Sequence, residues 1–220
     1  IKNKHKMTSH SNLPTIGVIG LGFVGGAIKD VFAERGYTVK GYDLYKESDE
    51  MHDVVKCDLI FLCLPTVFSS ARKEYNKKAL ISSCAALKEH NYSGPLLIKC
   101  TVEPGTTAAL SKQFPTLKLV HNPEFLTAAT AKSDFENQDH IVIGASSAVD
   151  DADVQIMTSF YQQAFPGAQI SHCTSTESES MKIFANSFYA VKIQFFNEMY
   201  ALCQKTGADY NKVRDISSRT

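Results

Sequence analysis

Three glycines close a short apolar run in Ile16-Gly17-Val18-Ile19-Gly20-Leu21-Gly22-Phe23-Val24-Gly25. Gly20, Gly22 and Gly25 have the G-x-G-x-x-G spacing that turns a strand sharply into a helix whose free N–H groups can hold a pyrophosphate. Gly20 would serve the tight turn, Gly22 the approach of backbone to phosphate, and Gly25 the packing of helix on strand. Phe23 and Val24, inside the loop, are assigned to the same cofactor surface. The glycines alone are a weak signal. Asp43 strengthens it, because it ends the next apolar segment, where a carboxylate can bond both hydroxyls of an adenosine ribose. The same charge opposes a 2′-phosphate, and Lys46 is an imperfect substitute for an arginine clamp, so NAD is favoured over NADP.

These residues need a scaffold of strands opening into helices. Thr15–Ile19, Thr38–Tyr42, Leu59–Leu64, Leu96–Cys100, Lys118–His121 and Ile141–Ile143 are short apolar runs with helix-length amphipathic segments between several of them. That alternation predicts an α/β fold with a doubly wound, mostly parallel Rossmann-type sheet. A flavodoxin-like or nucleotide-free sheet carrying a chance glycine triplet is the alternative. Beyond Thr174 the texture changes: Thr176 and Glu179 have capping-box spacing, and no Gly or Pro follows until Gly207. One long helix is expected there, from about Glu177 to Lys205. Its apolar positions cover more than one face, which predicts burial on several sides by a second subunit, or else within one chain's core. The expected organisation is a flexible extension or cloning remnant over 1–13, the cofactor domain over 14–174, and the connecting or dimerisation helix with the start of a helical region over 175–220.

Composition removes other classes. Of 220 residues, 44% are hydrophobic, and 23 basic residues balance 23 acidic ones. The apolar supply is that of a folded domain, and the missing charge excess argues against a nucleic-acid or anionic-membrane partner. Neither a spanning segment nor a signal-peptide centre is apparent, so a cytoplasmic protein is expected. Six scattered cysteines without a C-x-x-C pair suit free thiols better than a disulfide frame, and no metal site is expected.

Later segments add a resemblance. Leu62-Cys63-Leu64-Pro65-Thr66, Lys99-Cys100-Thr101-Val102-Glu103-Pro104-Gly105-Thr106, Asn122-Pro123-Glu124-Phe125-Leu126, and Thr176 to Lys182 with Asn186 and Asn197-Glu198 occur in that order. With the glycine loop, they resemble the UDP-glucose/GDP-mannose dehydrogenase family from about Thr15 to Ala208, most closely its UDP-glucose-oxidising members. The resemblance implies NAD-dependent oxidation of a sugar-nucleotide alcohol, UDP-glucose foremost, to a carboxylate in two hydride transfers through a cysteine thioester.

It also implies roles. Thr66 and Thr101 lie just beyond expected strand ends, the rim where such sheets bind ligands. Thr66 is assigned to cofactor binding, and Thr101 both to the cofactor and to holding a water. Lys182 and Asn186, four apart on a helix, can converge on one oxygen and stabilise an oxyanion. Glu124 would activate the water that cleaves the thioester, although the sequence alone equally allows a loop-stabilising glutamate. Phe125 and Leu126 would offer backbone groups to the sugar.

The sequence departs from the family in places. Ala128 occupies the slot of the usual second glutamate, Val67 follows Thr66 where proline is usual, and the Asp43–Asp58 segment is short. No cysteine matches the family's nucleophile segment, so the chain is expected to be the cofactor-binding half and connecting helix of a longer enzyme. Other readings are a β-hydroxyacid dehydrogenase, which shares a glycine loop and a helical Lys/Asn pair, and a catalytically incomplete NAD-binding or oligomerisation module.

Overall fold

A computed structural model describes residues 13–219; the expected 1–13 extension lies almost wholly outside them. The chain divides into two compact units, the first ending at Glu179 and the second beginning at Ser180.

The first unit is a sheet with helices on both faces. Strands β1 (Ile16–Ile19), β2 (Val39–Tyr42), β3 (Leu59–Leu62), β6 (Pro95–Ile98), β7 (Lys118–His121), β8 (His140–Ala145) and β9 (Gln169–Thr174) lie in the order β2-β1-β3-β6-β7-β8-β9. Every pairing is parallel except β7 with β8. The expected mostly parallel, Rossmann-like fold is thus present. The order reverses between β1 and β3, and at such a switch point the connections leave in opposite directions and open a crevice at the strand ends. The short Asp43–Asp58 connection leaves room for only one helical turn, α2 (Met51–Val54), before β3.

Alternation along the strands builds two cores. Val18, Phe61, Leu97 and Val120 face one side, with Ile28, Val31 and Phe32 of α1 (Phe23–Glu34), Phe135 of α5 (Ala131–Glu136), and Phe160 and Tyr161 of α6 (Asp151–Ala164). Ile19, Ile60, Leu62, Ile98 and Leu119 face the other, with Val54 of α2, Leu80, Cys84 and Leu87 of α3 (Lys78–Glu89), and Leu110 of α4 (Thr106–Gln113). Neighbours on a strand point to opposite faces, so apolar runs such as Leu59–Leu62 must be covered on both. A small antiparallel pair, β4 (Phe68–Ser69) and β5 (Glu74–Tyr75), follows β3.

Helix α7 runs from Ser175 to Thr206. Its start corrects the capping expectation. Thr174, not Thr176, is the cap: Glu177 Oε2 accepts the Thr174 N–H and hydroxyl, each at 2.8 Å, and Thr174 Oγ accepts the Glu177 N–H. Thr174-x-x-Glu177 has the same pattern two residues earlier, and Glu179 is engaged elsewhere.

The second unit contains the rest of α7 and α8 (Tyr210–Ser217). Gly207, at φ 70, ends α7, and Asp209 caps α8 by accepting the N–H groups of Asn211 and Lys212. Phe184, Phe188, Tyr189, Val191, Ile193, Phe195, Tyr200 and Leu202 are all more than half exposed. Among the described residues, no helix is long and apolar enough to cross a membrane.

Candidate active site

The glycine loop lies at the β1/β3 switch point. Gly20 has φ 91, and an added Cβ would come within 2.4 Å of the Cys63 carbonyl oxygen at the end of β3. At Gly25 an added Cβ would lie 1.8 Å from the Gly20 oxygen, so helix and strand meet there only as glycines. Gly22 differs: no atom lies within 4 Å of its added Cβ. Nothing inside the chain demands glycine there, and the open space fits the backbone approach a pyrophosphate needs. Gly22 is also the N-cap of α1, with no side-chain cap bond and no acidic residue in the first turn, which leaves the helix N-terminus suited to an anion.

Asp43 sits on this loop. Its Oδ2 accepts the N–H of Leu21 at 2.7 Å and its Oδ1 that of Tyr45 at 2.9 Å. The Leu21 bond holds its carboxyl below the usual carboxylate range, so the group is an anion at neutral pH. Lys46 donates to the Leu21 carbonyl. Phe23 is largely exposed in the first turn of α1, and Val24 is half-buried. Glycines, carboxylate and lysine thus lie together on one surface.

The rim continues along the carboxyl ends of β3, β6 and β7. Thr66 Oγ donates to the Thr101 carbonyl at 2.7 Å, joining the turns after β3 and β6. Asn122 is fully buried; its amide donates to the Val142 carbonyl at 2.7 Å and its Oδ1 accepts the Tyr161 hydroxyl. It therefore fixes the turn that presents Glu124, whose Oε2 accepts the Leu126 N–H at 2.6 Å. Phe125 is half-exposed, with its ring parallel to that of His140 at 6.2 Å. Ala128 is exposed and carries no acid. Beside Glu124 lies a cavity of about 310 Å³ lined by Lys99, Leu126, Phe135 and Gln138 among others. Lys99 is nearly buried, with Nζ 5.7 and 5.8 Å from the ring centroids of Phe61 and Phe135.

Buried His121 ties this rim to the start of α7. Its Nε2 lies 3.3 Å from the Cys100 carbonyl and its Nδ1 2.7 Å from the Ser178 hydroxyl, so the ring bridges the two. Lys182 and Asn186 stand one turn apart further along α7, in the second unit; Lys182 is buried and Asn186 exposed.

Cys63 and Cys100 follow β3 and β6 near the rim. Burial pushes the Cys100 thiol up to about 12 and raises that of Cys63 further. Cys100 Sγ accepts the Leu64 N–H and donates to the Leu62 carbonyl, both at 3.4 Å. Such thiols remain protonated at neutral pH and are not nucleophiles.

Switch point, glycine turn and acidic partner define a dinucleotide-binding α/β domain. Two descriptions of one family match the chain: "UDP-glucose/GDP-mannose dehydrogenase family, NAD binding domain" over residues 41–165, and the family's central domain over 176–220. The chain belongs to the UDP-glucose/GDP-mannose dehydrogenase family, whose NAD-binding domain it carries. A UDP-glucose 6-dehydrogenase of Rattus norvegicus is 27% identical over 187 residues, covering 79% of this chain and 38% of the relative. The chain thus spans about two fifths of the length of that relative.

Solved structures agree on the fold. A UDP-glucose dehydrogenase from the archaeon Pyrobaculum islandicum superposes with a TM-score of 0.82 at 23% identity, covering 96% of this chain and 58% of the other. A GDP-mannose dehydrogenase from Pseudomonas aeruginosa, solved as a ternary complex, gives 0.79 at 21%, covering 93% and 56%.

Proposed function

We propose that the protein oxidises a sugar nucleotide with NAD⁺, UDP-glucose to UDP-glucuronate, and that this chain supplies the cofactor site and part of the substrate site. The observation that carries the reading is the Asp43–Leu21 bond, which holds an ionised carboxylate against the glycine loop and so supports Asp43 as the partner of NAD's adenosine ribose. NAD⁺ supplies the hydride acceptor for both oxidations.

The chain's own residues bind and orient. The N-terminus of α1 holds the pyrophosphate, with Gly22, Phe23 and Val24 against it. Asp43 takes the ribose, and Lys46 and Thr66 complete the surface. Thr101 would bind the cofactor and hold the hydrolytic water, which Glu124 would deprotonate. Phe125 and Leu126 present backbone groups to the sugar. Lys182 and Asn186 stabilise the developing oxyanion; one such donor is worth roughly 3–4 kcal/mol. The thiolate that forms the thiohemiacetal and thioester is not assigned to Cys63, Cys84 or Cys100, whose thiol pKa values desolvation raises. On this reading it comes from a segment outside these 220 residues, and residues 14–174 and 175–220 serve as the cofactor domain and connecting helix.

We also propose a homodimer through α7, whose apolar face, Phe188 and Ile193 included, is exposed in the single chain. Free thiols and NAD chemistry fit a cytoplasmic setting. The test is to supply the protein with NAD⁺ and, in turn, UDP-glucose, GDP-mannose and simple β-hydroxyacids. NADH is expected with UDP-glucose; NADH only with a hydroxyacid would overturn the substrate class.

A further inference from the structure

The carboxylate with the second capping-box spacing holds a different helix. Glu179 has no exposed surface. Its Oε2 accepts the N–H of Gly105 at 2.6 Å, and its Oε1 accepts the N–H of Thr107 at 2.7 Å and the Thr107 hydroxyl at 2.6 Å. These donors open α4, whose first N–H groups lack partners within the helix and whose dipole favours an anion. A local cap is prevented by geometry. Gly105 sits at φ 93, where Ser, Thr or Asp would be strained, and α4 has neither a side-chain cap of its own nor an acid in its first turn. The cap comes instead from α7.

The segment held this way is the turn that carries Thr101. One end leaves β6, and Thr101 accepts the Thr66 hydroxyl. In the middle, Glu103 accepts the Tyr75 N–H at 2.6 Å and Lys77 Nζ at 2.9 Å, while its carbonyl accepts the Thr106 hydroxyl. Glu179 closes the far end. Burial raises its pKa although the bonds from α4 pull the other way, so desolvation opposes the placement.

We infer that Glu179 is a positioning residue: capping α4 from the start of α7, it fixes the 101–107 turn and hence the place of Thr101 in the proposed site. This rests on the role proposed for Thr101. The carboxylate's bonds to Gly105 and Thr107 run to the turn and the start of α4, so it acts through the turn and not on the substrate.

Two variants test it in the whole protein. Glu179→Gln keeps the shape but offers one acceptor oxygen and sets an NH₂ against N–H donors. Thr107→Val removes one of the three bonds at nearly constant volume. Hydrogen exchange at the Gly105 and Thr107 amides should be faster in Glu179→Gln by at least about tenfold. Its kcat per folded site should fall about tenfold to a hundredfold, as for a misplaced reacting geometry. KM for NAD⁺ and UDP-glucose should stay within about threefold, because binding is not what is lost. Thr107→Val should shift both readouts the same way by less. If Glu179→Gln does not fold, Thr107→Val carries both measurements. Unchanged exchange and unchanged kcat per folded site, or a loss confined to KM, would overturn the inference. If the wild-type protein oxidises no sugar nucleotide, the proposed function falls, while the exchange rates still decide whether Glu179 holds the turn.

Discussion

Asp43 and Leu21 are joined by a 2.7 Å hydrogen bond from the Leu21 N–H to the Asp43 carboxylate, so the acid that ends β2 also fixes the glycine loop that ends β1. Asp43→Ala should therefore weaken NAD⁺ binding twice over, by removing the ribose contact and by loosening the loop. Titration of both cofactors should show wild-type preference for NAD⁺ over NADP⁺. In the variant, NAD⁺ affinity should fall by about tenfold or more, the worth of a charge-assisted hydrogen bond, and the preference should shrink.

Gly25 has no room for a methyl group. Its added Cβ would lie 1.8 Å from the Gly20 oxygen, both groups being backbone, so neither can move without separating α1 from β1. Gly25→Ala should cost at least about 3 kcal/mol of stability and abolish NAD⁺ binding, whereas Gly22→Ala, in open space, should leave stability within about 1 kcal/mol and weaken the cofactor alone. Denaturant unfolding with and without NAD⁺ separates the two.

Acid should destabilise the first unit through its paired carboxylates. The Gly41 N–H bonds Asp49 at 2.8 Å and holds its carboxyl below the ordinary 3.8. Its proton affinity is thus lower folded than unfolded. The unfolded chain binds more protons as pH falls through the carboxylate range, so this stability is present above about pH 4 and is lost below it. Thermal midpoints between pH 7 and pH 3 should fall, and Asp49→Asn should flatten that slope.

The buried thiols should be slow to react. With Cys100 and Cys84 pushed up to about 12 by burial, their thiolate is scarce at pH 8, and alkylation in the native protein should run on the order of a thousandfold slower than for free cysteine. Timed alkylation with peptide mapping checks this; rapid labelling of Cys100 would make it a candidate nucleophile.

The sheet was largely legible because its strands are apolar on both faces; the Lys118–His121 run coincides with β7. Strand β9, Gln169–Thr174, escaped notice because it lies at the sheet edge and mixes polar residues into its alternation. The β4–β5 pair rests on two residues a side, too few for any pattern. Thr174-x-x-Glu177 and Thr176-x-x-Glu179 are equivalent as local signals. What separates them is the N-terminus of α4, far away in sequence, which claims Glu179 and leaves Glu177 for the cap. Lys99 reads as an ordinary polar residue after an apolar run, and its place beside the rings of Phe61 and Phe135 shows only in the packed structure. At Gly20, Gly25 and Asp43 the local geometry is set by neighbours a turn or one strand away, which spacing alone can express.

The proposed chemistry is tested most directly by its stoichiometry. The protein should be given NAD⁺ and UDP-glucose, NADH measured by absorbance and the sugar product identified by mass spectrometry. The account predicts UDP-glucuronate with two NADH for each acid formed, and with Glu124→Gln an accumulation of covalent intermediate after the oxidations. One NADH per product with release of an aldehyde, or no NADH from UDP-glucose by a protein that binds NAD⁺, would contradict it.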